Sequence, residues 1–529
     1  MNRFALKLKR RQNLYKHKKD TSSSRERRSI LNRNVSRLRR DQLLTRKRNI
    51  SLGTNMNTCL NSTVDHYGNI LENEIQELIK SVSDDDNDEK VFALSTLKVY
   101  SYGNKFHIDV LLRNNIANML FGIVSQKQKY PNIQIEALHL IANLSCGTFE
   151  QTEPLIRTGI MQYLINYLTC DEEEYLEMAL LTIGNLLQDS DDLKDDFLTN
   201  NFCMNLINIY GLNYPTQIYK VTTWVLATLC QGSLCRKLET YSPLIEVLTG
   251  LLTERNRYLI RSACSGLASL CDKKSLFSYF CQFNTLERLL NLLNNNQISN
   301  KDYKTKQIAL FAISQLIKNS SRNSLIQELF SEFQIIGILN HLFDNSSNPK
   351  PFVSDLLLVL RRASRAGSVI IQQILSCQIL KKIFQLYKQE QEQEQEQEQE
   401  QEQKSVSNFN FNKELKYELS WMLYHVFLNS KNDQYLSICK QGAIQILCDH
   451  MLFENDLSII RPTLRTISSL IEFENLAIVD HFDENGILKI IEKLTQHNNP
   501  KISQISNNII DNVFLTHSRM YECDLENDN

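Results

Sequence analysis

"ALHLIANLSCG" at residues 137–147, "ALLTIGNLLQD" at 179–189, "TTWVLATLCQG" at 222–232 and "ACSGLASLCDK" at 263–273 share one apolar pattern. Aligned on Asn143, the same register recurs at Val99, Asn185, Thr228, Ser269, Gln315, Ala363, His425 and Ser469, with successive spacings of 44, 42, 43, 41, 46, 48, 62 and 44 residues. The one long gap contains the fifteen-residue Gln-Glu tract 389–403, and removing that tract leaves 47. Between these segments a second pattern recurs as "GIMQYLINYL" (159–168), "FNTLERLLNLL" (283–293), "GAIQILCDHM" (442–451) and "NGILKIIEKL" (485–494). Its apolar residues fall three and four apart, as one buried helical face requires.

A period of roughly 40 to 47 residues with two or three helices per unit is the signature of armadillo or HEAT arrays. Each unit buries its apolar face only against its neighbours, and the stack presents a long concave groove. The expected fold class is therefore all-α: an armadillo-repeat, right-handed superhelical solenoid of about nine or ten units over residues 70–515, preceded by a disordered basic arm at 1–60. An acidic tail at 516–529 carries Asp524, Glu526 and Asp528. The Gln-Glu tract cannot build a core and is read as a solvated loop or a helical extension.

Only 15 glycines and 8 prolines in 529 residues argue against loop-rich α/β enzymes and β-sandwiches. Thirteen cysteines, among them Cys146, Cys230, Cys264 and Cys271, sit mostly in apolar helical stretches without a CxxC pair. They read as buried small hydrophobes in a reducing compartment, with no metal site and no disulfide expected. No run of 18 apolar residues occurs, so no membrane span is expected. Residues 1–48 hold 18 Lys and Arg against three acids, a balance of +15, and the rest of the chain carries −16. A cationic arm and an anionic body attract each other unless something else occupies one of them. An Arg-rich, acid-poor start also suits a mitochondrial transit peptide, whereas a secretory signal is excluded because no apolar stretch follows it.

The inner helix of each unit presents one residue per turn to the groove. That ladder carries Asn143 and Asn185 in adjacent units, and the chain's two tryptophans, Trp224 and Trp421, each four residues before the aligned positions Thr228 and His425. An Asn amide both donates to and accepts from a peptide backbone, and indole faces flank Lys and Arg stems. Asp189 and Glu418 stand close by in sequence as acidic walls. The pattern thus suits an extended basic peptide. The structural alternative makes Trp224 and Trp421 solenoid core and Asn143 and Asn185 caps or bridges between helices.

These residues resemble the importin-α family, adaptors that carry nuclear-localisation-signal cargo to importin-β. "NLSCGTFEQT" (143–152) is close to the family's second armadillo repeat, and "GNLLQD" (184–189) is similar to its third. The resemblance implies that Gly147, Thr152 and Asp189 hold the key lysine of the signal, with Asn143, Asn185 and Trp224 completing the major site and Glu418, Trp421 and His425 standing at a minor one. Residues 19–50 resemble the importin-β-binding arm. There Arg28, Arg33, Arg37, Arg39 and Arg40 would meet importin-β, and Arg46, Lys47 and Arg48 take the place of an autoinhibitory cluster that occupies the protein's own groove. Tethering raises the cluster's effective concentration to the order of millimolar. The family also implies recycling by an export receptor, shuttling between cytoplasm and nucleus through the pore, no cofactor and no enzymatic activity.

The chain departs from the family's Trp and Asn pattern at His139, Leu181 and Thr228, and at Val359 and Ala363 in the seventh unit. Missing indoles beside a complete Gly147, Thr152 and Asp189 set predict a weak or narrow preference for simple basic signals, with a minor site that does not function. A different class of function, an armadillo scaffold whose arm neutralises nucleic-acid phosphates, is opposed by the anionic body and by the lack of aromatics interleaved in the arm, so no direct nucleic-acid contact is expected. No P-loop, GxGxxG after a strand, HExxH or GxSxG motif supports catalysis.

Overall fold

The structure is a computed structural model that describes residues 68–527 apart from short stretches at 84, 102–104, 127–130, 233–237, 295–301, 321–322, 347, 400–405, 454–455 and 473–475. The basic arm, with Arg28, Arg33, Arg37, Arg39, Arg40, Arg46, Lys47 and Arg48, lies outside the described residues.

Every element among the described residues is helical. They fall into two compact units that divide at Ser190 and Asp191, where the repeat period alone reads one array. The first unit contains the long helices α1 (Asn87–Ser101), α2 (Pro131–Leu144) and α3 (Glu173–Asp189), packed α1 on α2 and α2 on α3. The second contains α4 (Thr216–Leu229), α5 (Arg257–Cys271), α6 (Tyr303–Asn319), α7 (Lys350–Ser364), α8 (Val406–Leu428), α9 (Leu457–Ile471) and α10 (Pro500–Asn527), each packed on the next. Each unit is an armadillo stack in which the long helices follow one another at the period read from the sequence.

These helices are buried on most sides because each lies between two others. In α3, Tyr175, Leu176, Ala179, Leu180, Ile183, Leu186 and Leu187 are all buried, which leaves one polar strip. Burying each such leucine contributes about 1.5 to 3 kcal/mol. Helices can also approach closely: a Cβ on Gly266 in α5 would stand 2.9 Å from Leu248 Cδ1 and 3.1 Å from Ala227 Cα in α4.

Two short helices precede most of the long ones, and a single left-handed residue joins them. It is Asn115 (φ 59°), Gly159 (76°), Asn284 (54°), Gln334 (48°), Gln378 (54°) or Gly486 (71°). Glycine and asparagine adopt this conformation readily, whereas glutamine does so at a cost of about 1 kcal/mol. The helix Ile379–Gln399 runs eleven residues into the Gln-Glu tract, as an extension and not a loop. Similarly, α10 continues to Asn527, through most of the stretch read as an acidic tail.

Among the cysteines, Cys203, Cys230, Cys264, Cys271 and Cys448 are buried. Burial pushes the Cys230 and Cys264 thiols up to about 12, so they stay protonated and behave as small hydrophobes. Cys146 differs, being half-buried with its Sγ accepting from the Asn185 amide at 3.4 Å.

Candidate functional site

Helix α2 ends in the turn Ser145-Cys146-Gly147, and Thr148 then opens the helix Phe149–Arg157. The turn demands glycine, since a Cβ on Gly147 would stand 2.8 Å from both Cβ and Oε1 of Gln151. Gln151 cannot easily move away. Its Oε1 accepts from the Thr148 N–H at 3.0 Å and its Nε2 donates to Asp109 Oδ1 at 2.6 Å.

One residue further, the buried Thr152 donates through Oγ1 to Asp189 Oδ2 at 3.0 Å. Asp189 is the last residue of α3, a helix with no basic residue in its last turn. A carboxylate at the negative end of a helix dipole is unfavourable by itself and attracts a cation. Hydroxyl, carboxylate and the carbonyls of a glycine turn together offer acceptors to an ammonium group, which carries three donors. The first unit thus contains a half-buried, acceptor-rich junction between consecutive repeats, built from Gly147, Thr152 and Asp189.

The two ladder asparagines belong to the same unit, with their amide hydrogens directed at the preceding repeat. Asn143 Nδ2 donates to Ser101 Oγ at 3.0 Å. Asn185, only 2% exposed, donates to Ser145 Oγ at 3.0 Å. These serines stand two residues beyond the aligned register, at 101 and 145, a recurrence visible in the sequence and missed there. Gln151, which holds the turn shut, was also missed. At the tryptophan positions, His139 Nε2 lies 2.8 Å from Glu174 Oε1, and Leu181 is half-buried. Trp224 belongs to the second unit, half-buried on α4, and its carbonyl accepts from the buried Thr228 hydroxyl at 2.9 Å.

In the second unit, Glu418 is 3% exposed and its carboxylate is ion-paired to Arg361 Nη1 at 3.0 Å. Trp421 stacks on His425 with ring centroids 6.2 Å apart and meets Tyr424 edge-on at 5.9 Å. Burial, followed by the charges of Arg361 and Arg365, pushes the His425 imidazole down to about 4, so it is neutral at physiological pH.

In the seventh repeat the aligned positions are apolar. Val359 and Ala363 are both 0% exposed and face the core. One residue before Ala363, Arg362 Nη1 donates to Ser314 Oγ at 2.9 Å, a bridge to the preceding repeat like that of Asn143 to Ser101. The run "LLLVL" (356–360) is apolar at every position, so the sequence pattern does not determine the phase of this helix.

A third junction completes the picture. Gly232 ends the turn after α4 as Gly147 ends the one after α2, and its carbonyl accepts from Lys273 Nζ at 2.8 Å. Here the following repeat supplies an internal lysine.

Among the described residues, no group of three or more His, Cys, Asp and Glu is placed to hold a metal ion. No described helix is long and apolar enough to cross a membrane.

No family model matches the chain. It is 21% identical over 339 residues to importin subunit alpha-3 of Arabidopsis thaliana, a match covering 60% of this chain and 64% of that protein. Importin subunit alpha-6 of the same plant is 24% identical over 267 residues, covering 50% and 49%. Importin subunit alpha-1b of Oryza sativa subsp. japonica is 22% identical over 196 residues, covering 37% and 36%. The matches thus span between 36% and 64% of the length of these relatives. Among solved structures, an engineered protein superposes with a TM-score of 0.68 at 15% identity, covering 83% of this chain and 98% of its own, a likeness of fold. The chain thus resembles importin α subunits at low identity over at most 60% of its length.

Proposed function

We propose that this importin-α-like armadillo protein is a nuclear import adaptor that holds a lysine of a nuclear localisation signal at Gly147, Thr152 and Asp189. The observation that carries this reading is the Thr152–Asp189 pair, 3.0 Å apart at a helix C-terminus that has no cation of its own in the last turn. In this reading the arm 1–60 recruits importin-β, its Arg46-Lys47-Arg48 cluster competes with cargo for the slot, an export receptor returns the adaptor, and the protein moves between cytoplasm and nucleus. The names of the relatives and the sign of the charge on the arm support it. Glu418 is already neutralised by Arg361, so cargo binding rests on the first slot and the region of Trp421 and His425 takes no lysine.

Anisotropy titration of a labelled lysine-rich peptide against a chain lacking residues 1–50 tests the slot. Asp189→Lys should weaken binding by about 2 to 5 kcal/mol, the usual cost of removing one partner of a half-buried charge pair. Full affinity in that variant overturns the assignment. A pull-down with importin-β, comparing the full chain with the truncated one, tests the arm separately.

A further inference from the structure

We infer that a separate face of the second unit, formed by α7, α8 and α9, docks an acidic peptide segment of a partner protein, with its carboxylates on Arg365, Arg461 and Arg465 and its stems on Trp421 and Tyr424. This inference does not rest on the lysine slot.

Three arginines are left on one face without acids. Arg365 is exposed just beyond the end of α7, and Arg461 and Arg465 stand one turn apart on α9, where the Arg465 guanidinium lies over the Tyr424 ring at 5.6 Å. None of the three makes an ion pair among the described residues. The nearby carboxylates are engaged or distant: Glu418 with Arg361 at 3.0 Å and Asp456 with Lys413 at 2.6 Å. Glu472, two turns past Arg465, accepts from Ser468 at 3.4 Å. Asp355 lies roughly 15 Å along α7 from Arg365, and Glu414 roughly 10 Å along α8 from Trp421, at 1.5 Å per residue. His425 is neutral and adds no charge, and Arg361 is already paired with Glu418.

The same face contains donors without acceptors. Trp421 Nε1 and Arg461 Nε are covered by protein and have no hydrogen-bond partner. Both atoms are out of reach of an arriving peptide, so docking relies on the exposed Arg365 and on the Arg465 guanidinium over Tyr424. Guanidinium forks match carboxylates in a bidentate way, and the Trp421–Tyr424 surface accepts the aliphatic part of a Glu side chain.

Size and field favour a short acidic peptide over nucleic acid. Three packed helices 8 to 10 Å apart span roughly 20 Å, the length of about six extended residues. Outside residues 1–48 the chain carries a balance of −16, so a long polyanion that left this patch would enter a repulsive field.

The test uses the full chain with Trp224→Phe, which makes Trp421 the one remaining tryptophan and its emission the readout. A short oligoglutamate peptide should change that emission saturably. Arg365→Glu and Arg465→Glu should each weaken the effect roughly tenfold, a little over 1 kcal/mol. Lys489→Glu, the same charge change on the helix Ile487–Leu494, should leave it unaltered. Arg365 is exposed, so its replacement keeps the fold and decides the matter even where Arg465→Glu disturbs packing. The inference is overturned by no saturable change, by an affinity indifferent to Arg365→Glu, or by a stronger Trp421 response to oligolysine or to a single-stranded oligonucleotide. Oligolysine binding that leaves Trp421 emission unmoved bears on the Asp189 slot alone.

Discussion

Gly147 and Gly232 close the same kind of turn after consecutive-type helices, yet the following repeat contributes opposite charges there. In the first unit it brings Asp189 to Thr152 at 3.0 Å, and in the second it brings Lys273 to the Gly232 carbonyl at 2.8 Å. The turn is equivalent, so one side chain decides whether a junction presents a carboxylate or an ammonium group. The junction of α7 and α8 adds a third case, in which a carboxylate is present but consumed, Glu418 by Arg361. A repeat fold thus supplies many equivalent positions, and the charges placed on them distinguish one junction from the next.

The sharpest way to break this contrast is to free the consumed carboxylate. Arg361→Ala takes the guanidinium away from the buried Glu418, and should destabilise the second unit by about 3 to 5 kcal/mol, measured by urea denaturation. Arg361→Leu combined with Glu418→Leu should recover most of that loss, because a well-packed apolar pair is often as stable as a buried ion pair. If Arg361→Ala costs nothing, Glu418 is not committed and the second unit regains a claim to lysine.

Acidification should separate the two regions next. His450 is fully buried with Nδ1 2.8 Å from Ser420 Oγ, and burial, aided by the charge of Lys416, pushes it down to about 3. The unfolded chain takes up this proton near the ordinary histidine value of about 6.5 and the folded chain does not. Stability is therefore fully present above that value and is lost as pH falls toward 3. His425, pushed down to about 4, acts in the same direction. The melting temperature should fall by several degrees between neutral pH and about pH 5, and His450→Gln should flatten the slope. A melting temperature that rises on acidification contradicts the neutral, buried imidazole.

Gly147→Ala probes the first region. The new methyl would press on Gln151, itself held by Thr148 and Asp109, so the variant should lose about 1 to 3 kcal/mol and bind lysine peptides more weakly. Gly211, which has open space where a Cβ would go, provides the control: Gly211→Ala should change neither quantity.

The period of the fold was legible because every repeat must bury the same face against two neighbours, so Ile141, Ile183 and Leu226 recur at 0% exposure. That Thr152 meets Asp189 was legible through the resemblance carried by the local stretches around them. The Arg362–Ser314 bridge between repeats was not, because the apolar run before it gives no sign of a polar contact. Nor was the Arg361–Glu418 pair, whose partners are 57 residues apart in sequence, across the insertion that interrupts the period. Charge pairing between repeats is set by which side chains the stack brings together, and composition alone is silent on it. Likewise, the division at Ser190 is a matter of packing that periodicity does not encode.

The smallest effect concerns the turns, where the second unit gives glutamine a task that asparagine and glycine perform elsewhere. The left-handed residue between short helices is Asn115 or Gly159 in the first unit, whereas the second uses Gln334 and Gln378 as well as Asn284 and Gly486. A glutamine there carries the clash of its Cβ with the following carbonyl, which glycine lacks. Gln334→Gly should therefore stabilise the second unit, by no more than about 1 kcal/mol, since glycine also gives the unfolded chain more freedom to lose. Gly159→Gln is the reciprocal change and should destabilise the first unit by a similar amount; nothing lies within 4 Å of a Cβ at Gly159, so strain of the backbone is isolated from crowding. Equal and opposite shifts in urea midpoint would assign the difference to backbone conformation. A destabilised Gln334→Gly would instead show that the side chain of Gln334 contributes contacts that outweigh its strain.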